Sequence, residues 1–187
     1  MAAAEILLFH KPRGLIVTSR DERGRRTVFD ALPSWVRERG FMPVGRLDLD
    51  SRGLLLFTPD GKLQEALARP GSHVKVYEVW VSGTVTAEQA RQLEQGVPTP
   101  LGEMAAEQVE LKGGVGPKSR LLVTLREGKN RQIRRMLAAL TDAQTGKPLK
   151  VLELKRVAFG PLRLDVPSGQ WRMLTEAECA ALVLRDG

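Results

Sequence analysis

The segment Gly45-Arg46-Leu47-Asp48-Leu49-Asp50-Ser51-Arg52-Gly53-Leu54-Leu55-Leu56-Phe57 constrains this chain more than any other stretch. It sets an arginine and a carboxylate at the mouth of a strongly apolar, strand-like run. A carboxylate buried there without a partner is costly. A fold that accepts Asp48 must bring something specific to its charge, so the segment reads as a chemical site at a strand end.

The remaining bounds are broad. With 187 residues the chain can bury a sizeable core, and it reads as one domain over residues 1–187, built of two closely joined lobes. No apolar run approaches the roughly 18–20 residues needed to span a bilayer. The start, MAAAEILLFHKPRG, has a short apolar stretch and no basic segment ahead of it, unlike a secretory signal. The lone Cys179 excludes an internal disulfide and a cysteine-based zinc site, and His10 and His73 are too few for a histidine-rich one. No metal is expected, and the compartment reads as cytoplasm.

Charge narrows the partner. Twenty-nine Lys and Arg against 22 Asp and Glu leave +7, which suits a polyanion, most simply nucleic acid, although a basic surface alone would give the same count. Clustering favours the nucleic acid. Arg20, Arg23, Arg25 and Arg26 fall together, as do Lys129, Arg131, Arg134 and Arg135. Arginine's planar fork gives phosphate two hydrogen bonds at once. Aromatics are only 5%, so a surface of stacking platforms is not suggested.

Local patterns predict strands over residues 5–10 and 15–19, joined by a Lys-Pro-Arg-Gly turn, then a polar mobile loop at 21–26. Thr27 caps a short helix that Pro33 stops. Strands follow at 42–46 and 53–58, a helix at 61–68, and a strand at 75–82 where KVYEVWVS alternates. Thr86 caps a helix over 87–95, with Glu88 or Gln89 near the capping-box position. A strand at 103–112, a flexible Gly-rich loop at 113–117 and a strand at 120–126 come next. Asn130 caps a helix over 131–140 whose Ile133, Met136, Leu137 and Leu140 share a face. Strands at 151–157 and 162–166 precede a last helix from Thr175. This mixture is α+β with a largely antiparallel sheet.

Three segments carry candidate chemistry: Gly45–Gly61, Lys75-Val76-Tyr77, and EGKNRQIRRM from Glu127 to Met136. Each alone has a plainer reading: a turn-capping Asp48, an ordinary strand tyrosine, a solvated basic helix face. Together, in order and wording, they resemble the bacterial pseudouridine synthases that act on ribosomal RNA. That family carries GRLD-x-x-(S/T)-x-G-L-(L/V), then a Lys-x-Tyr strand, then E-G-x-N-R-Q-(I/V)-R-R-M. The opening HKPRGLIVTSRDERGRRTVFDALP and the ending LKRVAFGPLRLDVPSGQWRMLTEAE are also similar, so the match covers nearly the whole chain. Pro59 stands where the family commonly has Asn. The chain looks most like the E-type large-subunit enzymes, which lack an S4-type RNA-binding extension.

The resemblance implies a mixed, largely antiparallel sheet in two lobes with flanking helices and a central cleft. It implies isomerisation of uridine to pseudouridine in ribosomal RNA, of the large subunit in preference to the small, by a monomer that needs no cofactor or metal. Asp48 would attack C1′ of the ribose or take a proton from C2′; both routes stay open. Arg134 would pair with Asp48 and keep it ionised, and Tyr77 would stack on the uracil. Arg46 would hold open the gap left by the extruded nucleotide, and Ile133 would pack near the base. Lys75, Arg131, Arg135, Arg25 and Arg26 would contact the RNA, mostly its phosphates. The alternative is a non-catalytic RNA-binding or ribosome-assembly module with the same fold.

Overall fold

The computed structural model describes residues 4–183; the first and last few residues of the expected domain lie outside the described span. The chain divides into two compact units. The first joins the N-terminal stretch through His73 to the C-terminal stretch from Arg156, and the second is Val74–Lys155.

In the first unit β1 (Leu7–Lys11) leads through a 3-10 turn (Val28–Ala31) to α1 (Ser34–Glu38), β2 (Met42–Pro43), β3 (Arg52–Thr58) and α2 (Gly61–Ala68). β1 and β3 pair antiparallel, from Leu7 opposite Phe57 to Lys11 opposite Gly53. Neither strand alternates in polarity, because both faces are covered. On one face Ile6, Leu8, Leu54 and Leu56 pack with Leu67 of α2 and with Phe159, Leu162, Cys179 and Leu182 from the C-terminal stretch. On the other, the Phe57 ring meets Phe9 and Phe29 edge-on at 6.3 and 5.7 Å. Asp60 fixes the start of α2 by accepting from the backbone N–H groups of Lys62 and Leu63 at 2.9 and 3.2 Å.

Two local readings change here. Residues 15–19 form no sheet strand; Ile16 donates to Arg26 O at 3.0 Å and accepts from Val28 N at 2.9 Å, so this stretch pairs with the arginine loop instead. Pro33 ends the 3-10 turn but also opens α1, where a missing N–H costs nothing.

The second unit contains β4 (Lys75–Ser82), α3 (Ala87–Gln95), β5 (Val97–Thr99), β6 (Gly102–Met104), β7 (Gln108–Val115), β8 (Lys118–Leu125) and α4 (Gln132–Ala138). β8 lies between β4 and β7, antiparallel to both, and β5 and β6 form a separate hairpin. The capping box at α3 uses Gln89: its backbone N–H donates to Thr86 Oγ1, and its side chain accepts from Thr86 N, each at 3.1 Å. The single strand expected at 103–112 is broken where Ala106 N donates to Leu93 O at the end of α3. The expected flexible loop at 113–117 is mostly strand. β7 continues to Val115 through a register shift between Leu111 and Gly114, which glycine tolerates as a bulge.

β9 (Lys150–Phe159) runs through the boundary between the units, and β10 (Leu162–Arg163), β11 (Trp171–Met173) and α5 (Glu176–Val183) follow in the first. β11, which no sequence pattern announced, pairs with β1. Arg172 of β11 ties the ending together by donating to both Asp165 and Glu178. The fold is α+β with a large, mostly antiparallel sheet, as expected.

Gly53 is the position where this packing leaves no slack. Its φ is +116°, and a Cβ there would sit 2.2 Å from the carbonyl oxygen of Arg156. The Arg156 side chain is itself 3% exposed, with its Nε donating to Leu54 O at 2.7 Å. The contact is backbone on backbone, so no side chain can turn away to relieve it. Gly53→Ala is expected to cost about 3 kcal/mol or more of folding stability. Urea unfolding followed by circular dichroism measures this, and a loss below about 1 kcal/mol contradicts the close approach.

Candidate active site

The loop that carries Asp48 is held by the Lys-Pro-Arg-Gly turn that follows β1. Lys11 ends β1 directly opposite Gly53, and its side chain is fully buried. Its ammonium donates to three carbonyls, Ser51 O at 2.8 Å and Asp48 O and Pro12 O at 3.1 Å each. An ammonium has three N–H donors, so all are spent. Gly14 N donates to Leu49 O at 2.8 Å, and Arg13 Nε to Asp50 O at 3.1 Å. Every carbonyl from Asp48 to Ser51 therefore accepts from this turn. Ser51 N closes the loop on Asp48 O at 3.0 Å.

The result is a half-buried Asp48 side chain on a backbone that cannot rotate freely. Burial pulls the Lys11 ammonium down to about 8, although the nearby charges of Asp48 and Asp50 oppose that shift. The Lys-Pro-Arg-Gly pattern alone suits a turn and does not announce this clamp. A lysine closing an otherwise apolar run, Ile-Leu-Leu-Phe-His-Lys, was the available signal, since such a residue needs acceptors.

The other predicted residues of the first unit lie on the surface. Arg46 is exposed, two residues before Asp48, and follows Gly45, whose φ of +71° ends the short β2 extension. Arg25 and Arg26 are exposed on the loop after residue 20. That loop is closed rather than open: Asp21 accepts from Arg25 N at 2.7 Å and from Arg25 Nη2 at 2.8 Å. Arg25's hydrogen bond holds the Asp21 carboxyl below its ordinary range. Part of Arg25's charge is thus spent within the loop, while Arg20, Arg23 and Arg26 stand exposed.

The second unit carries Lys75, Tyr77, Arg131, Ile133, Arg134 and Arg135. Lys75 and Tyr77 are both buried and share one face of β4, two residues apart on an alternating strand. Tyr77 is opposite Val123 of β8 and only 8% exposed. On the other face, burial pushes the Glu78 carboxyl up, but hydrogen bonds from Arg120 and Lys155 outweigh it and keep the group below its usual range.

α4 begins later than expected. Arg131, not Asn130, occupies the cap position, in the left-handed conformation with φ +49° and no side-chain cap. A non-glycine residue held there costs roughly 1–2 kcal/mol. Gln132, missed in the sequence, is the compensating brace. It is 3% exposed, accepts from Lys129 N at 3.1 Å and donates to Ala105 O at 3.0 Å. Ile133, Met136 and Leu137 form the buried face, which leaves Arg134 half-buried on the first turn. Arg135 turns back to Asn130, donating to its backbone and side-chain oxygens at 3.0 Å each. Among the described residues no group of three His, Cys, Asp or Glu side chains is placed to hold a metal ion, and no helix is long and apolar enough to cross a membrane.

Comparison with known proteins gives these residues a context. The family model for RNA pseudouridylate synthase matches residues 5–139. A protein from Vibrio cholerae named ribosomal large subunit pseudouridine synthase B is 40% identical over 172 residues, covering 90% of this chain and 51% of its own length. Its Escherichia coli namesake is 39% identical over 176 residues, covering 92% of this chain and 58% of itself. The chain thus spans about half the length of these relatives, which carry the B designation where the sequence leaned to the E type. A solved structure described as a pseudouridylate synthase superposes with a TM-score of 0.80 at 25% identity, over 97% of this chain and 75% of that one. A protein in an H/ACA ribonucleoprotein bound to substrate RNA shares the fold, with a TM-score of 0.60 at 18% identity.

The Lys11 clamp makes a pH prediction. Its folded pKa lies below the unfolded value of 10.5, so burial of the charge costs stability in full below about pH 8. Between pH 8 and 10.5 the unfolded chain binds more protons than the folded one, and this contribution to stability rises with pH. Lys11→Met removes the titration and strands the carbonyl acceptors. It is expected to cost about 2–4 kcal/mol at pH 7. Wild-type stability relative to that variant should climb between pH 8 and 10.5 in urea unfolding. A fall across that window contradicts the lowered pKa and means that the three carbonyl acceptors outweigh the cost of burial.

Proposed function

The chain belongs to the RNA pseudouridylate synthase family, and on that premise we propose that it converts a specific uridine of ribosomal RNA to pseudouridine, preferentially in the large subunit. The observation that carries the reading is the clamped Asp48 loop. A catalytic carboxylate must be held in place before its substrate arrives, and this one has each neighbouring carbonyl fixed by the Lys11–Gly14 turn. The named relatives act on large-subunit ribosomal RNA by their descriptions, which supports that substrate class.

The chemistry balances without an added reactant. The bond from uracil N1 to ribose C1′ breaks, the base turns, and C5 bonds to C1′. The C5 proton leaves and N1 gains one. Charge that develops on the sugar is met by the Asp48 carboxylate, as in glycoside cleavage. Asp48 either bonds C1′ or takes the C2′ proton. Arg134 is proposed as the cation that keeps Asp48 ionised. Tyr77 offers a flat ring to the uracil, with Ile133 beside the base and Lys75, on the same strand face, as a further substrate contact. Arg46 fills the stack from which the uridine is drawn, and Arg26, Arg131, Arg135 and the free part of Arg25 take phosphates. These roles require Asp48, Tyr77 and Arg134 to reach one nucleotide. The two units then act as one catalytic domain, working as a monomer in the cytoplasm where ribosomal RNA is modified.

Ribosomal RNA labelled with tritium at uracil C5 tests the proposal, since isomerisation releases the label to water. Wild-type protein is expected to release it from one site, and sequencing for pseudouridine locates that site. Asp48→Asn, folded like wild type, should release it roughly a thousandfold more slowly or worse. An inactive wild type on every ribosomal RNA sinks the function, and an active Asp48→Asn sinks the role of that residue.

A further inference from the structure

The first unit contains a cavity of about 430 Å³ beside the Asp48 loop, whose lining, Arg46 apart, the proposed reaction leaves unused. Its size falls in the range of about 300–1,000 Å³ that small-molecule sites occupy. Its floor is apolar, with Val17, Phe29 and Phe41 all nearly buried. Its wall is polar, with Ser19, Gln64 and Arg46. Gln64 is held in place by donating from Nε2 to Pro43 O at 3.0 Å. Arg46 lines the cavity, but Asp48, two residues further on, does not. The space is therefore a neighbour of the catalytic carboxylate and does not contain it.

From this we infer that the cavity receives a second unpaired base of the RNA, a near neighbour of the target uridine; the inference rests on the function proposed above. The chemistry on the page selects a base over other occupants. An apolar floor with two phenylalanines takes a flat ring, and a hydroxyl, an amide and a guanidinium on the wall match its polar edge. Single-stranded RNA is read in this manner, by bases turned out of the stack into pockets. The charge around the mouth suits the backbone that must accompany such a base. Ser19 and Arg46 are exposed at the rim, and Ser19 leads directly into exposed Arg20 and the loop bearing Arg23 and Arg26. A nucleotide whose base enters the cavity would keep its phosphates among these arginines. Two bases held at sites flanking Arg46 would fix the register of the RNA, so the cavity serves specificity and the Asp48 site serves chemistry.

The test is a coupling experiment on a synthetic RNA hairpin that spans the uridine mapped for the wild type. Each neighbour of that uridine is replaced in turn by an abasic nucleotide. For the wild type, one position is expected to raise KM about tenfold with kcat unchanged, within the range that stacking of one base supplies. Ser19→Trp fills the cavity from an exposed position, so the fold is kept, which thermal unfolding verifies. This variant should show the same rise in KM on intact RNA. On the RNA abasic at that position it should show no further loss, because the interaction is already gone. Ser19→Ala keeps the cavity open and removes only one hydroxyl from its wall, so it should raise KM far less than Ser19→Trp does. The inference is overturned if Ser19→Trp leaves KM unchanged, if its effect multiplies with the abasic one, or if it lowers kcat instead, which would make the cavity part of the uridine site. A wild type that makes no pseudouridine at all marks failure of the functional reading instead.

Discussion

A buried ammonium facing three carbonyls is the interaction on which the rest of this structure turns. Lys11 cannot be in the core without acceptors, and the Asp48–Ser51 loop, of which only Ser51 is buried, supplies two of the three. Each satisfies the other. The pairing of β1 with β3 brings them together, since Lys11 is opposite Gly53 and the loop feeds directly into β3. Gly53 then lets the Arg156 backbone close over the strand. The apolar strands, the polar clamp and the absent side chain are thus one device with three parts, and each is needed to hold a carboxylate at the edge of a dry interior.

This device explains why the opening motif was legible and its support was not. Asp48 stands out in sequence because a charge interrupts an apolar pattern. Lys11 breaks the pattern in the same way, but a lysine before Pro-Arg-Gly also suits an exposed turn, and local sequence does not distinguish the two. Only the register of β1 on β3 decides it, and register is a long-range fact. The same holds for β11, whose residues Trp171–Met173 become a strand because β1 has an edge to fill. Elements with strong local signals were legible almost to the residue. The helix over Gly61–Ala68 has its Asp60 cap, and the strand over Lys75–Ser82 has its alternation.

The misplaced cap of α4 has the same origin. Asn130 is a good capping residue by type, yet its side chain is engaged by Arg135. The helix instead starts after a left-handed Arg131, and Gln132 supplies the hydrogen bonds that hold the loop. The left-handed Arg131 is costly, and the hydrogen bonds of buried Gln132 offset part of that cost.

Counting charges overstates the basic surface that the protein presents. Several arginines that raise the net charge are spent internally: Arg25 on Asp21, Arg39 on Glu5, Arg120 on Glu78, Arg126 on Glu107 and Arg172 on Asp165 and Glu178. Exposed pairs of this kind add little stability, but they orient side chains and subtract from the field that a phosphate meets. Exposed arginines of the first unit outside these pairs include Arg20, Arg23 and Arg26 on the loop after Ser19, and Arg46 ahead of Asp48. A few well-placed phosphate contacts fix where an RNA lies without choosing among sequences. Choice then has to come from what the bases touch, and beside Asp48 that surface is an apolar hollow with a polar wall. Position and identity of the RNA would thus be read by different residues of one loop system, with Arg46 common to both.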